Sequence, residues 1–206
     1  ADRRADAEGA AQARREAAER LGVNPDEPTL LVTGGSLGAL HVNESMTGAA
    51  DALPEGAQVV HLTGRGKDEP VRAAVEAAGL SDRWHVIDYL TTMEDALAVA
   101  DLVVCRSGAG TVAEMEALGL PCIYVPLPIG NGEQRLNAAD HVAAGGAQLV
   151  DDKDFTADFV RRNVFPLLGS TRLADMAAAS QSLGRAGAAR ALADLALEQV
   201  KEAGHE

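Results

Sequence analysis

The sequence predicts an α/β fold, a Rossmann-like doubly wound sheet of six parallel strands. Two observations predict it. Six short apolar runs, rich in valine and leucine, alternate with helical segments along the chain, as in a sheet covered by helices on both faces. The glycine, serine and acidic motifs all follow the carboxyl ends of those runs, which is where such sheets bind their ligands.

Taken in order, residues 1–22 read as a leading helix. Ala13, Ala17 and Leu21 share one face, Glu16 and Arg20 stand four apart, and Gly22 ends it. Asn24-Pro25-Asp26 is a turn. Residues 29–33 (TLLVT) form the first strand, which runs into GGSLGA and a helix reaching Leu53. Strand two is 59–63, followed by a Gly64-Arg65-Gly66 loop and a helix over 68–79. Strand three is 84–87, with Asp88-Tyr89-Leu90-Thr91-Thr92 after it and a short helix over 93–100.

Residues 101–125 (DLVVCRSGAGTVAEMEALGLPCIYV) hold a strand, a tight glycine turn, a helix and a second strand. Ser107 stands where a helix N-cap is expected, and Gly119 with Pro121 stops the helix. Then come a loop at 126–132, a helix over 133–144, a sixth strand at 148–150 and helices at 156–168, 171–182 and 185–202. The organisation is one domain over 1–206: the leading helix, a core at 28–150 and C-terminal helices at 156–202.

Hydrophobic residues make up 47% of the chain but aromatics only 3%, so Ala, Val and Leu must build the core. The net charge of −13 argues against nucleic acid or an anionic membrane surface as partner. A bound phosphate must therefore be held by backbone N–H groups more than by a basic patch. Cys105 and Cys122 fall inside strands and read as buried thiols of a cytosolic protein. The chain opens without Met and reads as a piece of a longer protein.

A strand, a Ser/Gly turn and a helix N-terminus at 105–110 make an anion site, because unpaired N–H groups and the helix dipole favour a phosphate. Val112, Met115 and Gly119 form the inward stripe of that helix, which points Glu114 away from it. A carboxylate beside a phosphate suits a ribose cis-diol; equally, it is an ordinary acid at a helix start. Residues 34–38 supply a second Gly/Ser loop, so a diphosphate or sugar phosphate fits between the two.

Strand two ends in His61-Leu62-Thr63-Gly64 without the acid a dinucleotide fold needs, and Gly66-Lys67-Asp68 is not a P-loop. The histidines have no metal-ligand spacing, and Ser36 and Ser107 have no evident base. Tyr89 and Leu90 either flank and pair with a base or belong to an ordinary core. Glu133, Gln134 and Asn137 suit sugar hydroxyls at the crevice rim, or are a solvated helix start.

GGSLGALHVN, RSGAGTVAE, LPCIYVPLP and EQRLNA, in this order and spacing, resemble the C-terminal domain of the MurG family over about residues 28–200. Members of that family are bacterial transferases of the two-domain GT-B fold that move GlcNAc from UDP-GlcNAc onto lipid I to form lipid II. The resemblance implies a UDP-GlcNAc-binding domain that uses neither metal nor cofactor. Gly35, Ser36 and Gly38 would face the diphosphate, and the Leu90 backbone would read uracil with Tyr89 beside it. Ser107, Gly108, Ala109, Gly110 and Thr111 would cradle phosphate, and Glu114 would hold the ribose.

Glu133 and Gln134 would contact GlcNAc, although Glu133 departs from the Gln or His many relatives carry there. The catalytic base, the lipid I site and the membrane contact would belong to an N-terminal domain outside these residues. The whole protein would be peripheral on the cytoplasmic face of the membrane, and this domain soluble. A non-catalytic UDP-sugar module and a UDP-GlcNAc epimerase-like protein are the alternatives.

Overall fold

The computed structural model describes residues 7–35, 38–129 and 131–183. Its sheet has six parallel strands in the order β3-β2-β1-β4-β5-β6. The strands are β1 (Thr29–Thr33), β2 (Gln58–Leu62), β3 (Trp84–Ile87), β4 (Leu102–Cys105), β5 (Cys122–Tyr124) and β6 (Ala147–Leu149). Every residue of β1, β2, β4 and β5 is buried, because helices cover both faces. This is why the strands read as apolar runs rather than alternating ones.

On one face, α1 (Ala7–Leu21), α4 (Met93–Val99) and α5 (Ala109–Leu118) cover Leu31, Val60, Val103 and Tyr124. On the other, α2 (Leu40–Thr47), α3 (Asp68–Ala77) and the C-terminal segments cover Leu30, Val32, Val59 and Ile123. The few aromatics concentrate inside: Trp84, Tyr124, Phe155 and Phe165 are all fully buried. Trp84 meets Phe165 edge-on at 6.3 Å.

Two bidentate ion pairs fix α1. Arg14 donates to both carboxylate oxygens of Asp101, and Arg20 to both of Asp95. Arg20 thus pairs across to α4, not with Glu16 on its own helix. The hydrogen bond from Arg20 holds the Asp95 carboxyl below its usual value.

Three helices are shorter than the sequence predicts. α2 stops at Thr47, and only a short 3₁₀ turn at Ala50–Ala52 follows; Gly48 lies against Ala157, where a Cβ would approach to 3.1 Å. The helix expected over 133–144 divides into α6 (Glu133–Asn137) and α7 (Ala139–Ala143) at the buried Ala138, whose ψ is −5°. The helix expected over 156–168 is one turn of α8 (Ala157–Phe159), a π segment at Val160–Val164 and a 3₁₀ turn at Phe165–Leu167. Pro166 lacks the N–H that would continue the α ladder. The last described helix is α9 (Thr171–Leu183), and the helix expected over 185–202 lies outside the described residues.

Two histidines anchor buried polar chains. Ser180 Oγ has the Gly146 carbonyl to donate to, which leaves His141 Nε2 as donor toward it and His141 Nδ1 as acceptor from the Tyr124 hydroxyl at 2.9 Å. His141 Nε2–H donates to Ser180 Oγ at 2.8 Å, and Ser180 donates on to the Gly146 carbonyl. This ties α9 to α7 and β5. A Cβ at Gly146 would lie 2.4 Å from Ser180 Oγ, so only glycine fits. The second chain, through His61, is taken up below.

Candidate functional site

β1 and β4 are neighbours in the sheet, and Thr33 and Cys105 stand opposite each other at their ends. The chain leaves β1 toward one sheet face and β4 toward the other. Their loops therefore part there and open a crevice, at the switch point of the topology. It has a volume of about 290 Å³ and is walled by Thr33, Gly35, Leu62, Gly64, Asp88, Tyr89, Leu90, Thr111 and Glu114, among others. A larger cavity of about 470 Å³ lies between α1, α4 and α5 and shares Met93 and Glu114 with it.

Five of the residues expected at the site meet in this crevice: Gly35, Tyr89, Leu90, Thr111 and Glu114. α5 begins with Gly108 at its N-cap, in extended backbone, and no side chain caps it. Ala109 and Gly110 are exposed, and a Cβ built on Gly108 or Gly110 would meet no atom closer than 3.9 Å. No side chain caps this ten-residue helix and the space beside its first turn is open, as an anion requires. Glu114 is exposed on the second turn, while Val112 and Met115 are buried beneath it.

Tyr89 is not a core residue. It is 39% exposed at the crevice lip, and the Arg65 guanidinium stacks on its ring at 3.7 Å. Its N–H is taken by Asp88 Oδ1 at 2.7 Å. Leu90 is partly buried, and no backbone partner among the described residues engages its N–H or C=O. A base edge could pair with both.

The other expected residues stand differently. Ser107 does not cap α5; Gly108 takes that place, and the Ser107 side chain is fully buried with its hydroxyl unpartnered. Gly38 has φ +66°, and a Cβ there would lie 2.1 Å from the Thr63 carbonyl oxygen, so its bareness serves packing. Asn137 donates to the Ser107 carbonyl, and Gln134 Oε1 accepts from the Leu127 N–H at 2.9 Å. Glu133 is exposed at the first position of α6. Ser36 lies outside the described residues.

Two cations stand near the crevice beyond the residues that the sequence singles out. Arg106 walls the crevice, but its Nη1 is engaged by Asp152 and by the carbonyls of Val125 and Pro126. Arg65 sits over Tyr89. Neither has a local signal, since each role depends on a partner at least 19 residues away.

The description of the glycosyltransferase family 28 C-terminal domain matches residues 29–192, most of the chain. The chain belongs to glycosyltransferase family 28. Curated relatives of this family 28 domain include the UDP-N-acetylglucosamine--N-acetylmuramyl-(pentapeptide) pyrophosphoryl-undecaprenol N-acetylglucosamine transferase of Bifidobacterium adolescentis. It is 51% identical over 168 residues, which cover 75% of this chain and 43% of that one. The enzyme of the same name from Streptomyces coelicolor is 44% identical over 192 residues, covering 92% and 52%.

The crystal structure of Acinetobacter baumannii MurG superposes with a TM-score of 0.74 at 29% identity, covering 88% of this chain and 52% of that one. A putative UDP-N-acetylglucosamine 2-epimerase from Listeria monocytogenes, at TM-score 0.64 and 21% identity, shares the fold. The family 28 domain spans about half the length of the curated relatives it matches.

Proposed function

We propose that this chain is the donor half of an inverting N-acetylglucosaminyltransferase that binds UDP-GlcNAc for transfer to lipid I. The observation that carries the reading is the uncapped, open start of α5, whose Thr111 and Glu114 line the same crevice as Tyr89 and Leu90. A diphosphate, a ribose diol and a pyrimidine edge each find a complementary group there. The names of the relatives supply the sugar and the acceptor.

In the proposed reaction, the acceptor hydroxyl attacks the anomeric carbon as the bond from that carbon to the diphosphate oxygen breaks. The electron pair leaves on UDP. The N–H groups of Ala109, Gly110 and Thr111 lower the cost of the charge that gathers on the diphosphate. The proton passes to a base outside this half. Acceptor and membrane contacts also belong to the other half, and the complete protein is peripheral on the cytoplasmic face. No helix among the described residues is long and apolar enough to cross a membrane.

Calorimetric titration with UDP-GlcNAc, UDP and NAD, on the native chain and on Glu114→Ala, tests this. Heat with UDP and UDP-GlcNAc, with an affinity that the substitution weakens, supports the reading. Binding of NAD in preference to UDP sinks it. Turnover is expected only when the complementary half is present, and a longer gene product that binds donor yet transfers no sugar leaves a non-catalytic module.

A further inference from the structure

We propose that Asn43 is a positioning residue for the diphosphate end of the crevice, holding the loop after β1 against the loop after β2. The inference rests on the donor-binding reading above. Asn43 lies in the first turn of α2 and is 3% exposed, so it touches no ligand itself. Its Nδ2 donates to the Thr63 carbonyl at 3.1 Å. That carbonyl is the surface on which Gly38 rests, close enough that a Cβ would sit 2.1 Å from it. The same loop ends at Ala39, the N-cap of α2, whose carbonyl takes the first ordinary helix bond, from the Asn43 N–H at 2.9 Å, so the loop and the Asn43 side chain are carried on one helix start. The side chain therefore fixes the one carbonyl against which the loop after β1 lies, and each of the two loops contributes a glycine, Gly35 or Gly64, to the crevice wall.

The direction of the grip is fixed from behind. Trp84 Nε1–H has only a proton to give, and it gives it to His61 Nδ1 at 3.3 Å. His61 must then carry its proton on Nε2, which lies 3.0 Å from Asn43 Oδ1. The Asn43 oxygen is thereby committed to His61 and its amide to Thr63. Burial lowers the His61 pKa to about 3, so the ring stays neutral and the chain of donors keeps its sense. Trp84, His61 and Asn43 are all buried, so water cannot substitute for a missing member.

The test compares Asn43→Ala and the gentler Asn43→Ser with Ser180→Ala. The last breaks the other buried histidine chain, between α7 and α9. UDP affinity is measured by calorimetry at a temperature where every variant is folded, and melting temperatures are recorded beside it. The expected result is a loss of roughly five- to tenfold in UDP affinity for the Asn43 variants. Ser180→Ala should lower the melting temperature and leave affinity unchanged. Native affinity in both Asn43 variants overturns the proposal. So does an equal loss in Ser180→Ala, because affinity would then merely follow stability.

Hydrogen exchange of the Gly38 amide, which donates to the Gly35 carbonyl at 2.9 Å, gives a ligand-free readout. It should quicken in the Asn43 variants and not in Ser180→Ala, and unchanged exchange overturns the proposal even if the native chain proves not to bind UDP. That last result would sink the donor reading alone.

Discussion

The side-chain amide of Asn137 donates to the main-chain carbonyl of Ser107 at 3.1 Å. It joins α6 to the turn that opens α5, two segments 30 residues apart in the chain. The sequence places Asn137 among groups that reach for a sugar; in the structure its amide faces the protein. Asn137→Ala should therefore loosen the turn that opens α5, costing about 1 kcal/mol of stability and, on the proposed function, weakening UDP and UDP-GlcNAc by the same factor. Paired titrations check this. A loss confined to UDP-GlcNAc would mean that Asn137 holds the sugar after all.

Glycines of the two crevice loops answer oppositely to a methyl group. Gly38→Ala puts a Cβ 2.1 Å from the Thr63 oxygen at a φ of +66°, and should destabilise the fold by about 2–4 kcal/mol. Gly110→Ala meets open space in the first turn of a helix, where alanine is up to about 1 kcal/mol better than glycine. It should hold or raise stability while lowering UDP affinity, because the methyl enters the space the phosphate needs. Urea denaturation with UDP titration on both variants separates the two roles.

The strand and helix alternation was legible because both sheet faces are buried, so each strand is a short apolar run, and because several of the helices end at a glycine. Gly22, Gly79 and Gly119 all have positive φ, as their stop signals imply. The crevice loops were legible for a related reason: chemistry in this topology gathers at strand ends, and those ends are countable. What stayed hidden depends on contacts between distant segments. A glycine reads alike whether it leaves open space at a helix start, as Gly110 does, or admits a carbonyl, as Gly38 does. Ser107 carries a cap-like residue type, yet the helix starts one position later and its hydroxyl turns inward. Arg106 stands next to the turn that opens α5, and only the fold brings Asp152 beside it.

Glu114 offers a sharper test than simple deletion. If its two oxygens accept from the two ribose hydroxyls, the native chain should prefer UDP over 2′-deoxy-UDP by roughly tenfold, the worth of one hydrogen bond to a charged group. In Glu114→Ala the two ligands should bind alike. This is a double-mutant cycle with one partner on the ligand, so a general loss of affinity cancels. Preference for UDP that survives in Glu114→Ala would assign the diol to another group.

Stability should fall on mild acidification, before the carboxylates titrate. Burial lowers the pKa of His141 to about 4 and of His61 to about 3, from an ordinary 6.5. Both rings are neutral in the folded chain, where each accepts one hydrogen bond and donates another. Below pH 6.5 the unfolded chain takes up protons that the folded one refuses, so stability is full above that pH and drains as the pH falls toward 4. Each histidine contributes a slope of about 1.4 kcal/mol per pH unit within its window. Asp95, held low by Arg20, adds its own loss only below its ordinary value of 3.8. Urea midpoints at pH 7, 6, 5 and 4.5 should decline steadily, and His141→Gln, though less stable throughout, should show a shallower decline. A flat profile from pH 7 to 4.5 would mean that the two rings accept protons without leaving their buried chains.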